Sequence, residues 1–566
     1  MGMRRIGVAM KNWPVIAILG SAQFVMVLDG TVMNVSISTV VDDLDTTVDA
    51  MQAAITFYTL TMAALMLLGA KLGDVWGRRR AFVIGSIVYA VGSLTTALSP
   101  NVTTLFIGWS IIEGLGAVLV IPAIAALIAD NYEGHARVAA YAIIGAASGA
   151  AVAAGPLIGG FMTTYLSWRY VFVAEVVIMA GVVLFARRID DRTGATPSRI
   201  DVLSVLLSAA GLVSVVYGML QSKNWGWVVP LHPPTIGGVE FAPLGVSPTT
   251  WLILLGAVLI WAFVARQRRL SAAGRPPLVD IGLFRILRLR SGLTVLLAQY
   301  AMTAGLFFMM PVYLQMTLGL DALQTGIRIF PLSISLILFS ILGTRLSLMW
   351  SPRRIIRVGQ LLLVLASFVL LGAVEIELQS PAFGAGMFIA GAALGLLASQ
   401  IGNVNMSSVG EAQSSEVGGL QGVFQNLGSS LGTALIGSVL IGALATSFAG
   451  LVATSSLPEE TQAVVAEATS GGVDIVPAAS VPELAAEAGL DDAEAAELER
   501  VYAESQIESL RVALVALIVI SLGSLLFSRG IPGEVLGRPD EDEPAADEPD
   551  EDEPAADDGE MKGAVS

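Results

Sequence analysis

Three carboxylates stand inside stretches that otherwise carry no charge. Asp29 lies in the apolar run from Trp13 to Val41, Glu113 in the run from Val102 to Ala129, and Glu175 in the run from Tyr170 to Ala186. A charged side chain at the centre of a bilayer costs a few kcal/mol at least, so such residues usually face a polar cavity or a partner. At about 1.5 Å of rise per residue, Asp29 lies roughly 24 Å above the inner start of its run. On the same measure Glu113 lies roughly 16 Å below the outer start of its run, and Glu175 about 10 Å in from Trp168. The three acids thus share the middle and outer half of the membrane, with Glu175 nearest to water. Carboxylic acids in dehydrated sites bind and release protons close to neutral pH, which is the chemistry of proton-coupled transport. Static pairing with a neighbouring hydroxyl is the alternative. Arg328 is the fourth ionisable residue inside a run. It lies about one turn from the end, where it either snorkels to the interface or meets substrate.

The elements that carry these residues are legible from hydropathy. The chain has 566 residues, 55% hydrophobic and only 14% charged, against about 25% charged in soluble domains. It reads as an all-α polytopic membrane protein. Fourteen apolar runs of membrane length are expected, with spans 2 and 3 flanking a turn from Leu72 to Arg80 and span 14 from Arg511 to Phe527. Clusters of Arg mark the loops after spans 2, 6, 8 and 10, which places those loops and both termini in the cytoplasm. The segment between spans 7 and 8 holds Trp225, Trp227 and one cation, Lys223, and reads as an external loop.

The net charge of −16 is unevenly placed. Residues 449–510 and 531–566 each sum to −12, which leaves the membrane body at +8. The first segment reads as an external loop whose end, Ala493 to Leu510, is an amphipathic helix running into span 14. The second repeats Asp-Glu-Asp-Glu-Pro-Ala-Ala-Asp at 540–547 and 550–557 and reads as a disordered cytoplasmic tail. There are no cysteines, which excludes thiol chemistry and Cys metal sites. His135 and His232 fall in expected loops, so no metal site is predicted. No nucleotide loop and no nucleophile–base constellation is present. Neither a cofactor nor an enzymatic activity is expected, and nucleic-acid binding has no support.

The turn Leu72-Gly73-Asp74-Val75-Trp76-Gly77-Arg78-Arg79-Arg80 packs four charges into nine residues. An Asp is not needed for topology, so Asp74 and Arg78 suggest a constructed polar joint. Gly155, Pro156, Gly159 and Gly160 in span 5, and Gly418 to Gly437 in span 13, predict close helix approach, with a kink at the proline.

Taken together, these motifs resemble those of the major facilitator superfamily, in its fourteen-span drug:proton antiporter family. Leu28-Asp29-Gly30-Thr31-Val32-Met33-Asn34-Val35 resembles the family's span-1 motif. Leu72 to Arg80 resembles the superfamily's loop motif, with Ala70 where the family has Gly. Gly155-Pro156-Leu157-Ile158-Gly159-Gly160 resembles the span-5 antiporter motif, and Trp168-Arg169-Tyr170-Val171-Phe172 the start of span 6. The span-4 motif departs from the pattern: Ser110 stands where an Arg is usual and Glu113 where a Gln is. The string at Gly108–Gly114 and that at Gly418–Leu435 are similar to a mycobacterial efflux protein of this family.

The resemblance implies two six-helix bundles plus two inserted helices, with a substrate cavity near the midplane. The expected units are residues 1–190, 191–290, 291–528 and the tail 529–566. It implies a multidrug exporter of the bacterial inner membrane, driven by protons and working by alternating access. Asp29, Glu113 and Glu175 would couple protons, and Asp74, Gly77, Arg78, Arg79 and Arg80 would form a gate. Asn34, Met302, Phe307, Met310, Arg328 and Phe424 are candidates for the cavity wall. The expected partners are a lipophilic small molecule or lipid, protons and the bilayer. A Met- and Phe-rich cavity also suits translocation of lipids or lipophilic metabolites. A non-transporting membrane scaffold is a third reading, against which the gate motif and the embedded acids argue.

Overall fold

The computed structural model describes residues 13–132, 134–191, 200–236, 239–376, 381–409, 414–469, 473 and 475–534. Hydrocarbon offers no hydrogen-bond partners, so each span must satisfy its backbone internally and becomes a helix. Among the described residues, thirteen helices are long and apolar enough to cross a bilayer, or fourteen when the bent pair Ile143–Val152 and Ala154–Tyr165 counts as one span. Numbering only these long helices, α1 is Trp13–Val35, α2 Val48–Trp76, α3 Arg78–Ala97 and α4 Val102–Ile128. They are followed by α5 Gly134–Tyr165, α6 Arg169–Phe185, α7 Val202–Trp225 and α8 Pro248–Ala272. The rest are α9 Leu287–Val312, α10 Ala322–Leu346, α11 Pro352–Ala373, α12 Ala382–Met406, α13 Ser414–Ala453 and α14 Asp492–Phe527. Among the described residues the only strands are a two-residue hairpin, Thr235–Ile236 with Val239–Glu240.

Helices α1–α6 pack on one another, as do α9–α14. The two bundles meet along two seams, α2 against α13 and α5 against α10. The inserted hairpin α7–α8 packs on itself and lays α7 across both α2 and α13. Small residues set the second seam: a Cβ on Gly160 would lie 2.6 Å from the Ala322 carbonyl oxygen, and one on Gly326 2.2 Å from that of Pro156.

Polar bonds that cross between the bundles gather at the end opposite the Arg78 turn. Gln315 accepts from the Ser38 amide (3.0 Å) and hydroxyl (2.6 Å) and donates to the Val35 carbonyl (2.8 Å). Gln52 donates to the carbonyls of Thr433 (3.0 Å) and Ala434 (3.4 Å), and Ser430 to that of Thr56 (3.1 Å). The Leu323 amide donates to the Thr164 hydroxyl at 3.1 Å. At that end the bundles are closed on each other.

Several elements differ from the sequence expectation. The first span ends at Val35, and a separate short helix, Ile37–Asp43, follows the break at Ser36. Lys223 is not in a loop: it belongs to the last turn of α7, with its side chain only 4% exposed. As expected, the amphipathic segment runs into span 14, in one continuous helix. The bend in α5 is 43° and falls just before Pro156. Proline lacks the N–H that would bind the carbonyl four residues earlier, and that carbonyl, of Val152, accepts the Ser333 hydroxyl of α10 at 3.5 Å. The acidic repeat at 540–557 and the basic stretch at 1–11 lie outside the described residues.

The hairpin is tied at the α7 start. Asp201 caps α7 and is forked by Arg266 of α8 at 2.6 Å through both nitrogens. Beside them Gln267 donates to Ser204 at 2.6 Å. The guanidinium fork holds the Asp201 carboxyl down at about 2. A group lowered in the folded state contributes stability above its unfolded value of about 3.9 and loses it as pH falls through the folded value. The thermal-stability gap between wild type and Asp201→Asn is therefore expected to be full above about pH 5 and to shrink toward pH 2. A gap independent of pH over that range would contradict the assignment. In the first bundle, a Cβ on Gly92 of α3 would lie 2.5 Å from the Glu113 backbone nitrogen. Gly92→Ala is expected to cost about 1–3 kcal/mol by overpacking, read as a lower melting temperature of the purified protein.

Candidate functional site

The three acids that the sequence places in separate spans converge. One carboxylate oxygen from each of Asp29, Glu113 and Glu175 lies within 4.8 Å of the others. Asp29 and Glu113 are 0% exposed and Glu175 1%. Glu175, expected nearest to water, is as deeply buried as the other two, because α6 packs its inner face on α1 and α3. Depth along the helix axis located the residue; the side on which it points decided its solvent access.

Each carboxylate is supplied by a different element. Asp29 is on α1, where both of its oxygens share the indole N–H of Trp109 at 2.9 Å. The Trp109 ring stacks on Tyr58 of α2, with centroids 4.9 Å apart and planes 11° from parallel. Glu113 ends a π-helical stretch, Phe106–Glu113, within α4. Such stretches have an extra residue per turn and turn side chains off the regular helix face. Here Trp109, Ser110 and Glu113 all face inward, and the Ser110 hydroxyl donates to the Ala54 carbonyl of α2 at 2.8 Å. Glu175 on α6 accepts from Ser93 of α3 at 3.1 Å. The Tyr89 hydroxyl stands by Glu113 and Glu175, and that of Tyr58 by Asp29. Neither hydroxyl, nor either oxygen of Glu113, closes a hydrogen bond. The result is a buried acidic pocket whose donors are neutral, an indole and a serine, with two phenol hydroxyls beside the carboxylates.

The Arg turn is assembled differently from the Asp74–Arg78 joint suggested by proximity in sequence. Asp74 is exposed and has no ion pair among the described residues. Arg78 pairs instead with Asp130, at the end of the helical run that continues α4, at 2.7 Å. Asp191, beyond α6, accepts the Arg79 amide at 3.1 Å, and Arg79 donates to the Ile189 carbonyl at 3.2 Å. Gly77 has φ +90, where a side chain is strained, and a Cβ there would also meet Asp191 at 2.9 Å. The turn thus clamps α2 and α3 to the far ends of α4 and α6.

Gly155 and Gly159 let α5 approach α1: their Cβ atoms would meet Thr31 Oγ1 at 1.9 Å and the Val32 Cα at 3.0 Å. Among the cavity candidates, Met302, Phe307 and Met310 are buried in the main hydrophobic core. Phe424 packs near Phe284, with ring centroids 6.2 Å apart. Asn34 turns its amide back to the Gly30 carbonyl at 2.6 Å. Arg328 is exposed on α10. The structure brings the acids together and places these six in different surroundings.

The family model described as Major Facilitator Superfamily matches residues 19–433. The chain belongs to the major facilitator superfamily. The puromycin resistance protein of Streptomyces alboniger is 31% identical over 452 residues, which are 78% of this chain and 84% of the relative. The multidrug efflux pump LfrA of Mycolicibacterium smegmatis is 25% identical over 491 residues, 86% and 91% of the two chains. A probable actinorhodin transporter of Streptomyces coelicolor is 26% identical over 82% of this chain and 77% of its own. In fold, the chain is similar to a bacterial homologue of the human lysosomal transporter Spinster, solved in an inward-facing, occupied conformation. The TM-score is 0.55 and the identity 16%, covering 92% of this chain and 98% of that one. A membrane transporter of the major facilitator fold, related to antibiotic and multidrug efflux proteins, is thus established.

Sequence reasoning missed Trp109, Tyr58, Tyr89 and Ser93 around the acids and Asp130 and Asp191 around the Arg turn. The only local signal was Trp109, four residues before Glu113 in the string Gly-Trp-Ser-Ile-Ile-Glu-Gly. Trp109→Phe keeps the stack on Tyr58 and removes the N–H from Asp29. It is expected to cost about 1–3 kcal/mol, the penalty of an unsatisfied buried group, and Asp29→Leu in the same chain to recover much of it. Additive losses in thermal unfolding of the double variant would count against this pairing.

Proposed function

We propose that the protein exports lipophilic small molecules across the bacterial inner membrane in exchange for protons, by alternating access, with both termini cytoplasmic. The observation that carries this reading is the carboxylate cluster. Three negative charges a few ångströms apart in a low-dielectric interior repel strongly, so the closed form holds protons there. Ionisable residues inside a membrane mark ion pathways by default. Asp29 and Glu113 would take up protons from outside when the cavity opens outward, which frees the substrate, and would release them inward after closure. Residues 1–190 and 291–528 would rock against each other as two bodies, with 191–290 between them. The Arg-rich loops would lie inside, so the closed end at Gln52 and Gln315 would be the outer gate. The clamp from Arg78 to Asp130 would hold the inner ends of the first bundle together as the inner gate closes.

The relatives named for puromycin resistance, actinorhodin transport and multidrug efflux support an organic molecule as cargo. The exposure of Arg328 within a span suits an anionic head group, which keeps lipid translocation as the second reading. In liposomes with an imposed pH gradient, Asp29→Asn and Glu113→Gln are expected to abolish gradient-driven movement of a fluorescent cationic drug while leaving the melting temperature near wild type. Undiminished transport by Asp29→Asn would falsify proton coupling at this cluster. Drug binding absent from the purified protein, together with tight retention of an anionic lipid, would favour the lipid reading.

A further inference from the structure

The inserted hairpin has a place in the closed end that the two-bundle scheme leaves unassigned. Helix α7 lies in the seam between α2 and α13 and touches both bundles. Leu60 of α2, Val216 of α7 and Ala434 of α13 share one buried apolar cluster. Toward the closed end the contacts turn polar. Lys223 of α7 is ion-paired with Asp49 in the first turn of α2, and its ammonium lies 3.5 Å from the Gln52 side-chain oxygen. That amide's other end donates to the carbonyls of Thr433 and Ala434 on α13. Gly437 leaves room for it: a Cβ there would stand 2.1 Å from the Gln52 nitrogen. On its other side, α7 accepts the Ser438 hydroxyl of α13 at its Met219 (3.0 Å) and Leu220 (3.3 Å) carbonyls.

We propose that Lys223 is a positioning residue of the gate. It holds the Gln52 amide with its oxygen toward α7 and its N–H groups toward α13, so that the inserted helix sets the balance between the closed and open states. The physical grounds are polarity and rank. An amide can be flipped so that either end faces α13, but only its N–H end can bond a carbonyl there. A cation at the oxygen end selects that orientation. The contacts joining α7 to the two bundles also differ in strength. Lys223, with its side chain 4% exposed, holds Asp49 through a charge-assisted pair, whereas the hydroxyl and amide bonds to α13 are between neutral groups and weaker. When α2 and α13 separate, α7 therefore stays with α2, and the break runs between Gln52 and Thr433 and between Met219 and Ser438. The hairpin is then a part of the first moving body, and its cation strengthens closure.

This rests on alternating access, and the test separates the two. The natural chain has no cysteine, so Leu166→Cys and Ile327→Cys can be spin-labelled alone. Both residues are exposed near the closed end, on the opposite seam from α7. Distance distributions of the full-length protein in nanodiscs are read for this pair in the Lys223, Lys223→Met and Lys223→Arg backgrounds, and with Gln52→Leu. The parent pair is expected to give a dominant short distance and a minor long one. Lys223→Met and Gln52→Leu should each raise the long-distance fraction several-fold, the two together no more than the stronger alone, and Lys223→Arg should restore the parent. A parent with a single distance under every condition would overturn alternating access itself. A shift with Gln52→Leu and none with Lys223→Met would overturn the role of Lys223. Independent, additive shifts would overturn its action through Gln52. A role confined to folding would lower the melting temperature of Lys223→Met and leave its distance distribution unchanged, which also overturns the proposal.

Discussion

Asp29, Glu113 and Glu175 share one pocket buried from the surface, and much of the first bundle is arranged to make that tolerable. Their charges are not balanced by a guanidinium or an ammonium in the pocket. They are met by neutral donors: the Trp109 indole on Asp29 and the Ser93 hydroxyl on Glu175. Neutral donors lower the cost of a carboxylate without fixing its charge, whereas an arginine would hold it permanently ionised. The geometry needed for this is unusual locally. A π-helical stretch in α4 brings Trp109 and Glu113 inward together, and Gly92 lets α3 come against the Glu113 backbone.

The rest of the architecture surrounds this pocket with two kinds of joint. At the Arg78 turn, an ion pair to Asp130 and a backbone bond to Asp191 tie the ends of α2, α3, α4 and α6 together. At the other end, amide side chains rather than charges cross between bundles: Gln52 and Gln315 each bond backbone carbonyls of the opposite bundle. Bonds between neutral groups are individually weak, which suits contacts that part and re-form. The bonds that join the two bundles at this end are thus made by neutral groups, whereas the Arg78 turn is tied by charge. Lys223, from the inserted hairpin, brings a cation to the amide of Gln52.

Both seams depend on residues without bulk, and they use them differently. The α5–α10 seam is closed by Gly160 and Gly326 against backbone, with the Val152 carbonyl released by Pro156 taken up by Ser333. The α2–α13 seam is filled from outside by α7. The two lateral faces of the molecule are therefore not equivalent.

Hydropathy, charge and motif determined a good deal from the sequence alone. Fourteen spans, the Arg-bearing loops, the family and the identity of the three embedded acids are local properties: a run of apolar residues needs a helix wherever it sits in a bilayer. What the tertiary structure decided is which residues meet. Asp29 and Trp109 are 80 residues apart, and Gln52 and Thr433 381 apart. No local pattern encodes such pairs, because they follow from the rotation of each helix about its axis. That rotation moved Glu175 from an expected near-surface site into the acidic pocket and took Arg78 from Asp74 to Asp130. It also turned Lys223 from a loop cation into a buried contact between the inserted hairpin and α2. Periodicity located these side chains along the membrane normal; packing against neighbouring helices set the direction in which each one points.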